Sequence, residues 1–445
     1  MVRPGAARLP RAMSAEAVLA AAPADAGSVR RNLVLLAVAT LPFTYALTVN
    51  LSFPLKMYEV ALALALLTYL SELRLPLAPG TGPVVARLAW FTIAAAVLTL
   101  IRFALPAEGS SEVDFGARFG PAGDAVAKLL YLSLGVFGFL LFSRAAYADE
   151  RRYLQAWRVG AIATASYSWY LFLAGLVGIE PLLLPGIEDP KYFSVAGHTF
   201  IRSGTFQEGN FLGLFLLVSV GIALYQRRRL LAAILSLTVL LTFSTVSTVA
   251  LVLLWSMVWL GAQAGVKMSR RAKYIAVGAL IAVAIGLVLI QTGYLQAVIF
   301  GKLGTDEIGS RLKRIAFIIA GLRMFADHPL LGVGISQFGY FYNQYQPLGL
   351  AGIAETVKLI PNNIYVELLA ELGIFGFTLF VGFLVAVYSR LRHPELAPLR
   401  WTFIALLFSL NGFPTYTVMF LWAFFGLAVA ASARLRLSET RTPGA

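Results

Sequence analysis

The 445-residue chain has no cysteine and only three histidines. The first absence excludes disulfides, thiolate metal sites and cysteine nucleophiles. The histidines, His198, His328 and His393, fall in separate segments with no metal-ligand spacing, so no metal and no cofactor are expected. No Gly-Lys-Ser/Thr phosphate loop or nucleotide fingerprint occurs, which argues against an ATP-driven pump. Charge is sparse as well: 13% of residues are charged against 59% hydrophobic, with a mean hydropathy of +0.78. That balance is far from an ordinary soluble domain. The chain also lacks any internal repeat of the ~20–50-residue kind.

Long apolar runs fill the space. Residues 230–266 carry no charged side chain, and both ends of the run are basic. As one helix the run would be roughly 55 Å long, nearly twice a ~30 Å hydrocarbon core, so it must turn back. The polar cluster Thr242, Ser244, Thr245, Ser247 and Thr248 marks the turn. The run 401–433 repeats the arrangement, interrupted by Asn411, Gly412, Pro414 and Thr415. Two hairpins with basic ends on one side define an all-α polytopic membrane protein. Apolar runs of spanning length predict about twelve helices. They fall near 32–50, 54–71, 84–104, 124–143, 157–179, 208–226, 229–243, 246–264, 273–293, 362–388, 399–412 and 415–433.

With a cytoplasmic amino terminus, two thirds of the 36 Lys and Arg residues fall on the cytoplasmic side, but only a third of the 22 acidic ones. This is the positive-inside bias, and it places both termini in the cytoplasm. It also accounts for the net charge of +14. The basic residues lie in short clusters beside apolar spans, which suits membrane lipids as partners and not nucleic acid. The organisation that follows is a basic tail over 1–29, nine spans over 30–293, an extracytoplasmic loop domain over 294–361, three spans over 362–434 and a cytoplasmic tail over 435–445. The first apolar stretch reads as a retained helix and not a cleaved signal.

The 294–361 loop is the largest of three outer segments, and loops of such length are often functional. Within it, 311–326 has a helical pattern with Ile315, Ile318, Ile319, Leu322 and Phe325 on one stripe. At 100° per residue Arg311 projects onto that apolar stripe, within about 40° of Ile315, Ile318 and Leu322. A buried arginine needs an anionic partner. Asp306 and Glu307 could supply it structurally; a substrate phosphate could supply it functionally, with Gly309-Ser310 adding helix N–H groups. Arg314 lies on the same helix. Arg202 is the second candidate, in a glycine-containing entry to a span that continues through Glu208 and Asn210; an interfacial snorkelling role is the alternative. Tyr340, in the run Phe338 to Tyr345, could stack on sugar or anchor at the interface.

Gly309-Ser310-Arg311-Leu312, and Met324-Phe325-Ala326-Asp327-His328-Pro329-Leu330-Leu331-Gly332-Val333-Gly334, resemble the signature of the O-antigen ligase and O-antigen polymerase superfamily. Asn363-Ile364-Tyr365-Val366-Glu367 through Glu371-Leu372-Gly373-Ile374-Phe375-Gly376 resembles its second part. The Arg202 segment and Leu241-Thr242-Phe243-Ser244 match patterns common there. The resemblance implies a GT-C-like, metal-independent, inverting glycosyltransferase at the outer face of the bacterial inner membrane. Its donor would be a glycan on undecaprenyl diphosphate, its second partner a glycan acceptor, and other polysaccharide-assembly proteins are further candidate partners. Arg311 matches the arginine that holds the diphosphate, a role suited to a fork of donors that stays charged.

Two positions depart from the pattern. Thr245 stands where the family often has an arginine, a role Arg202 could take over. Asn362, before Asn363, stands where ligases have a histidine. Asparagine can orient a hydroxyl but cannot accept its proton near neutral pH, which favours a polymerase. Glu208, His198 and Glu367 are then the candidate proton acceptors. The expected site is Arg202, Arg311 and Asn362 as catalytic residues, with Arg314, Glu208, Asn210, Asn363 and Tyr340 binding substrate. Ligation to lipid A-core is the alternative within the class. A lipid-linked glycan flippase is the alternative outside it, although charges near the middle of spans would then be expected.

Single cysteines placed in this cysteine-free chain test the orientation. Leu350→Cys should react with an impermeant thiol reagent from the outer side of sealed membranes, and Lys267→Cys only once they are opened. Labelling of position 350 solely from the cytoplasmic side would overturn the topology.

Overall fold

The computed structural model describes residues 24–50, 54–70, 77–105, 120–195, 198–263, 305–347, 359–413 and 416–441. Among them are thirteen α-helices and two small antiparallel hairpins. In chain order they are α1 (Ala24–Thr40), β1 (Val49–Asn50), β2 (Pro54–Leu55), α2 (Met57–Leu70), α3 (Gly82–Ala104), α4 (Gly120–Ala148) and α5 (Glu150–Val177). Then come β3 (Tyr192–Val195), β4 (His198–Ile201), α6 (Gly209–Tyr225), α7 (Arg229–Leu241), α8 (Thr245–Gln263), α9 (Thr305–Asp327) and α10 (Phe338–Tyr345). The chain ends with α11 (Ile364–Arg390), α12 (Ala397–Ser409) and α13 (Met419–Arg441). Ten of the twelve expected spans coincide with a helix over most of their length; 32–50 is helical only to Thr40 and then turns into β1, and the ninth, 273–293, lies outside the described residues. Five helices (α3, α4, α5, α11 and α13) are long and apolar enough to cross a membrane, and α2, α6, α7 and α8 are shorter apolar helices.

Local signals set the helix ends. Asp149 accepts from Arg152 N–H at 3.1 Å to start α5, and Gly178, in the left-handed region at φ 76°, ends it. The polar cluster after α7 is the turn the uncharged run requires: Thr242 Oγ1 takes Ser244 N–H at 3.3 Å, and Ser244 Oγ takes Ser247 N–H at 3.3 Å. α6 is buried along almost its whole length, and 72% of the apolar window of α13 is buried against 33% for α3 and α5. α6 and α13 are therefore central, while Trp90, Leu100, Leu130, Leu173, Leu230 and Val252 point outward. Outward apolar side chains are what a lipid-facing perimeter requires. Glycines permit the closest helix contacts, Gly135 and Gly138 of α4 against Trp422 and Met419 of α13, and Gly221 of α6 against Thr402 of α12.

The two ends of the bundle are chemically distinct. At one end Arg30 meets Thr68, Arg434 meets Glu150 and Tyr147, and His393 meets Glu439. At the other, the 185–206 segment meets Tyr45 and Leu47, Gly412 meets Val246, and Gln337 reaches the start of α4.

The organising irregularity is in α11. Gly373 (φ 62°, ψ −166°) interrupts the helix, in a region of backbone space that only glycine occupies at low cost. The break releases backbone groups, and the Pro329–Gly334 loop takes them up. Val333 N–H donates to Ala370 O, Gly334 N–H donates to Glu371 O (2.9 Å each), and Ile374 N–H donates to Pro329 O at 2.8 Å. Gly332, itself at φ 67°, lies so close that a Cβ there would stand 2.4 Å from the Glu371 carbonyl carbon. A Cβ on Gly373 would stand 2.4 Å from Leu330 O. The two halves of the sequence motif are therefore two sides of one backbone junction.

Gly332→Ala and Gly373→Ala should each lower the thermal midpoint of the detergent-solubilised protein, since left-handed strain alone costs ~1–3 kcal/mol and the steric overlap adds to it. Gly382→Ala, in the same helix with nothing near its added methyl, should leave the midpoint unchanged or slightly raised.

Candidate active site

The Arg202 segment is pinned before it reaches the membrane helix. The β3–β4 hairpin pairs Tyr192 with Ile201 and stacks Phe193 on Phe243 and Phe200 on Phe172. Arg202 N–H donates to Lys191 O, and the buried Thr205 donates its hydroxyl to Pro42 O at 2.7 Å while its carbonyl takes N–H groups from Tyr45 and Ala46. Arg202 emerges half-buried, its stem against Gly209 at the start of α6. Gly209 in turn abuts Thr242 O. Arg202, the half-buried Glu208 and the half-buried Asn210 are thus brought to the α7–α8 turn. Asn210, Ser244, Ser247, Ser409 and Phe413 line a narrow crevice there.

A second group surrounds the start of α11. Asn363 caps that helix, its side-chain oxygen accepting from Tyr365 N–H at 3.0 Å and Val366 N–H at 3.2 Å. Its expected binding role must therefore share the carboxamide with a structural one. Asn362, immediately before, is half-buried at the mouth of the helix. One and two turns further in, Glu367 and Glu371 are buried on one face, and both take hydrogen bonds from Lys128 of α4, to Glu371 at 2.7 Å. Lys128 Nζ also lies 5.3 Å from the Tyr416 ring. Glu371 Oε1 further accepts from Phe338 N–H at 3.4 Å, tying the triad to α10. Sequence reading missed Lys128 as a site residue. The available signal was a lone lysine inside an apolar run, opposite two carboxylates spaced one helical turn apart.

The two groups are continuous. Phe211, next to Asn210, packs on Phe413 at 4.6 Å, and Tyr416 three residues on reaches Lys128. Tyr365 donates to Leu407 O at 2.7 Å from the other side. Arg202, Glu208, Asn210, Asn362 and Asn363 therefore belong to one end of the bundle.

Two expectations are corrected. Helix α9 forms, extending beyond the expected 311–326, but it packs through Ala316, Phe317, Ala320 and Met324, with Gly321 against Val366. Ile315 and Leu322, on the stripe shared by position 311, are exposed at 50% and 46%. The sequence pattern marked an apolar stripe correctly, but protein covers it only in part: Ile318, Ile319 and Phe325 are half-buried, while Ile315 and Leu322 face outward. The Arg311 side chain, like those of Asp306 and Glu307, lies outside the described residues; Arg314 is half-buried. Tyr340 is the second correction. Its ring is 2% exposed and its hydroxyl donates to Asp124 at 2.8 Å, so it joins α10 to α4 and offers no stacking face. Nearby, His328 Nε2 lies 3.4 Å from the Tyr345 hydroxyl, and partial burial and the charge of Arg102 lower its pKa.

An apolar helical bundle with a pinned polar end is a polytopic membrane protein with a shaped site at one end. Residues 230–381 match the family model described as O-antigen ligase, consistent with the resemblance carried by the sequence motifs. The match runs from α7 through α9 and α10 into α11 and contains the whole Gly332–Gly373 junction. No curated protein matches the chain. The family implies membrane glycan transfer of the ligase or polymerase type, from lipid-linked glycans.

The triad separates packing from chemistry. Lys128→Met strands two buried carboxylates and should cost about 3–5 kcal/mol, seen as a sharp loss of folded protein by size-exclusion chromatography. Adding Glu367→Gln and Glu371→Gln should recover most of the yield, because neutral amides need no counter-charge. Full yield from Lys128→Met alone would show that the carboxylates do not depend on it.

Proposed function

We propose that this protein is an inverting, metal-independent glycosyltransferase that polymerises undecaprenyl-diphosphate-linked repeat units into a surface polysaccharide. It works from the outer face of the cytoplasmic membrane, in a chain of twelve spans with both termini inside. The observation that carries the polymerase reading is Asn362, at the mouth of α11 where ligases have a histidine. In this reading an acceptor hydroxyl attacks the donor anomeric carbon from the face opposite the lipid diphosphate. The new glycosidic bond forms as the bond to the phosphate oxygen breaks. Arg202 and Arg311 stabilise the charge growing on the departing diphosphate, with Arg314 beside them. Asn362 orients the hydroxyl, and its proton passes to Glu208, His198 or solvent. Glu367, buried and held by Lys128, is the weaker proton acceptor.

Two observations favour other readings. The matched family is described as O-antigen ligase, which supports transfer of a finished glycan to lipid A-core. The Lys128, Glu367 and Glu371 charges within helices are of a kind that transporters use, which supports a flippase. Purified protein given a synthetic lipid-diphosphate oligosaccharide distinguishes them. Longer lipid-linked chains mean polymerase, product on lipid A-core means ligase, and transport in vesicles without reaction means flippase.

Arg202→Ala and Arg311→Ala should each abolish elongation without loss of protein, and Lys should restore it only partly because a point charge lacks the bidentate fork. Asn362→Ala should lose more activity than Asn362→His, which keeps a donor and an acceptor at similar reach. Wild-type elongation by both Asn362 variants would remove that residue from the mechanism. Near-normal elongation by Arg311→Ala would remove the arginine site.

A further inference from the structure

The end of the bundle opposite the candidate active site holds a cavity of about 420 Å³ between the ends of α5, α6 and α13. Arg151, Arg158, Arg228 and Arg434 line it, and Gln155 and Gln226 add neutral donors. The one carboxylate in its wall, Glu150, is already engaged: it accepts from the Tyr225 hydroxyl at 2.7 Å and pairs with Arg434 Nε at 3.5 Å. Glu395 bears on Tyr225 from the α11–α12 connection and adds some negative charge nearby. Arg434 is further tied to Tyr147 O at 2.8 Å. Four guanidinium groups against one occupied carboxylate leave a strong positive excess in a concave site. The volume is many times the ~30 Å³ share of one water, so it admits a phosphodiester headgroup with its glycerol.

The neighbouring surface indicates where such a phosphate comes from. α5 and α7 run side by side, joined by Trp169 Nε1 to Thr238 Oγ1 at 3.1 Å. Starting beside the wall residues Arg158 and Arg228 and continuing for one to two turns, they expose Val159, Ile162, Leu230 and Ile234. A basic cavity beside an outward apolar strip matches a headgroup with attached acyl chains. A soluble anion would need the first and leave the second unused.

We infer that this cavity binds the phosphate headgroup of an anionic glycerophospholipid, its acyl chains lying along the exposed faces of α5 and α7. The site is separate from glycan transfer and does not depend on it. The test is native mass spectrometry of the full chain, released from mixed phosphatidylglycerol and phosphatidylcholine micelles, counting retained phosphatidylglycerol. Arg158→Gln/Arg228→Gln should reduce retention roughly ten- to thirty-fold, as expected for two arginines at a membrane surface. Arg392→Gln/Arg436→Gln makes the same charge change at the same end outside the cavity, and should retain lipid as wild type does. Arg151→Gln, an exposed single change, should give roughly a fivefold loss even if the double variant folds poorly. Equal losses in the control pair, or undiminished retention in the cavity variants, would overturn the site. Competition by glycerol phosphate at the concentrations that serve for phosphatidylglycerol would overturn the lipid assignment.

Discussion

Two carbonyls, those of Ala370 and Glu371, lose their helical partners when α11 breaks at Gly373, and the rest of the site depends on where they find new ones. Inside a membrane protein an unpaired backbone group costs several kcal/mol, so a break is tolerated only where protein supplies the replacement. Here Val333 and Gly334 supply it, and Pro329 O takes the Ile374 N–H in exchange. The exchange fixes the loop after α9 against the interior of α11. It also holds α10 beside α4, through Gln337 to Pro121 O and Tyr340 to Asp124. A regular α11 would offer none of these partners to the Pro329–Gly334 loop.

Electrostatics reinforce the same joint. Glu371 sits at the break, and its side chain reaches both Lys128 and the Phe338 N–H. One lysine thus links α4, α11 and α10, and its ammonium group lies 5.3 Å from the Tyr416 ring. A triad of this kind is weak support for stability, because desolvating three charged groups offsets much of their attraction. Its stronger effect is on geometry: few alternative packings of α4 against α11 could satisfy two buried carboxylates with one ammonium group.

How much of this was legible in the sequence depended on whether the signal was local. The 230–266 run had to turn, and the residues that turn it were the hydroxyl cluster, whose side chains can replace backbone partners. The resemblance to the O-antigen ligase superfamily was carried by glycine positions that prove to be backbone requirements of one junction. Side-chain surroundings were less legible. A stripe of Ile315 and Leu322 reads the same whether it packs on protein or faces lipid, since both are apolar. In a membrane protein the hydrophobic period alone therefore cannot tell the inner face of a helix from the outer, and small residues are the better guide. α9 contacts its neighbours through Ala316, Ala320 and Gly321, with Phe317 and Met324 beside them. Lys128 was hidden for a related reason: a single charge in an apolar span shows its partners only in three dimensions.

The position of Asn362 relative to the junction bears on how an enzyme of this kind could change its chemistry. Asn363 is committed to capping α11, and Glu367 and Glu371 are committed to Lys128. Position 362 lies one residue outside the cap, half-buried, where its side chain is not required for the helix to start. A histidine or an asparagine there leaves the cap, the triad and the glycine junction intact. The scaffold can thus exchange a titratable side chain for a neutral one at this position without repacking its core. The core packing therefore leaves the chemistry at this position free to vary.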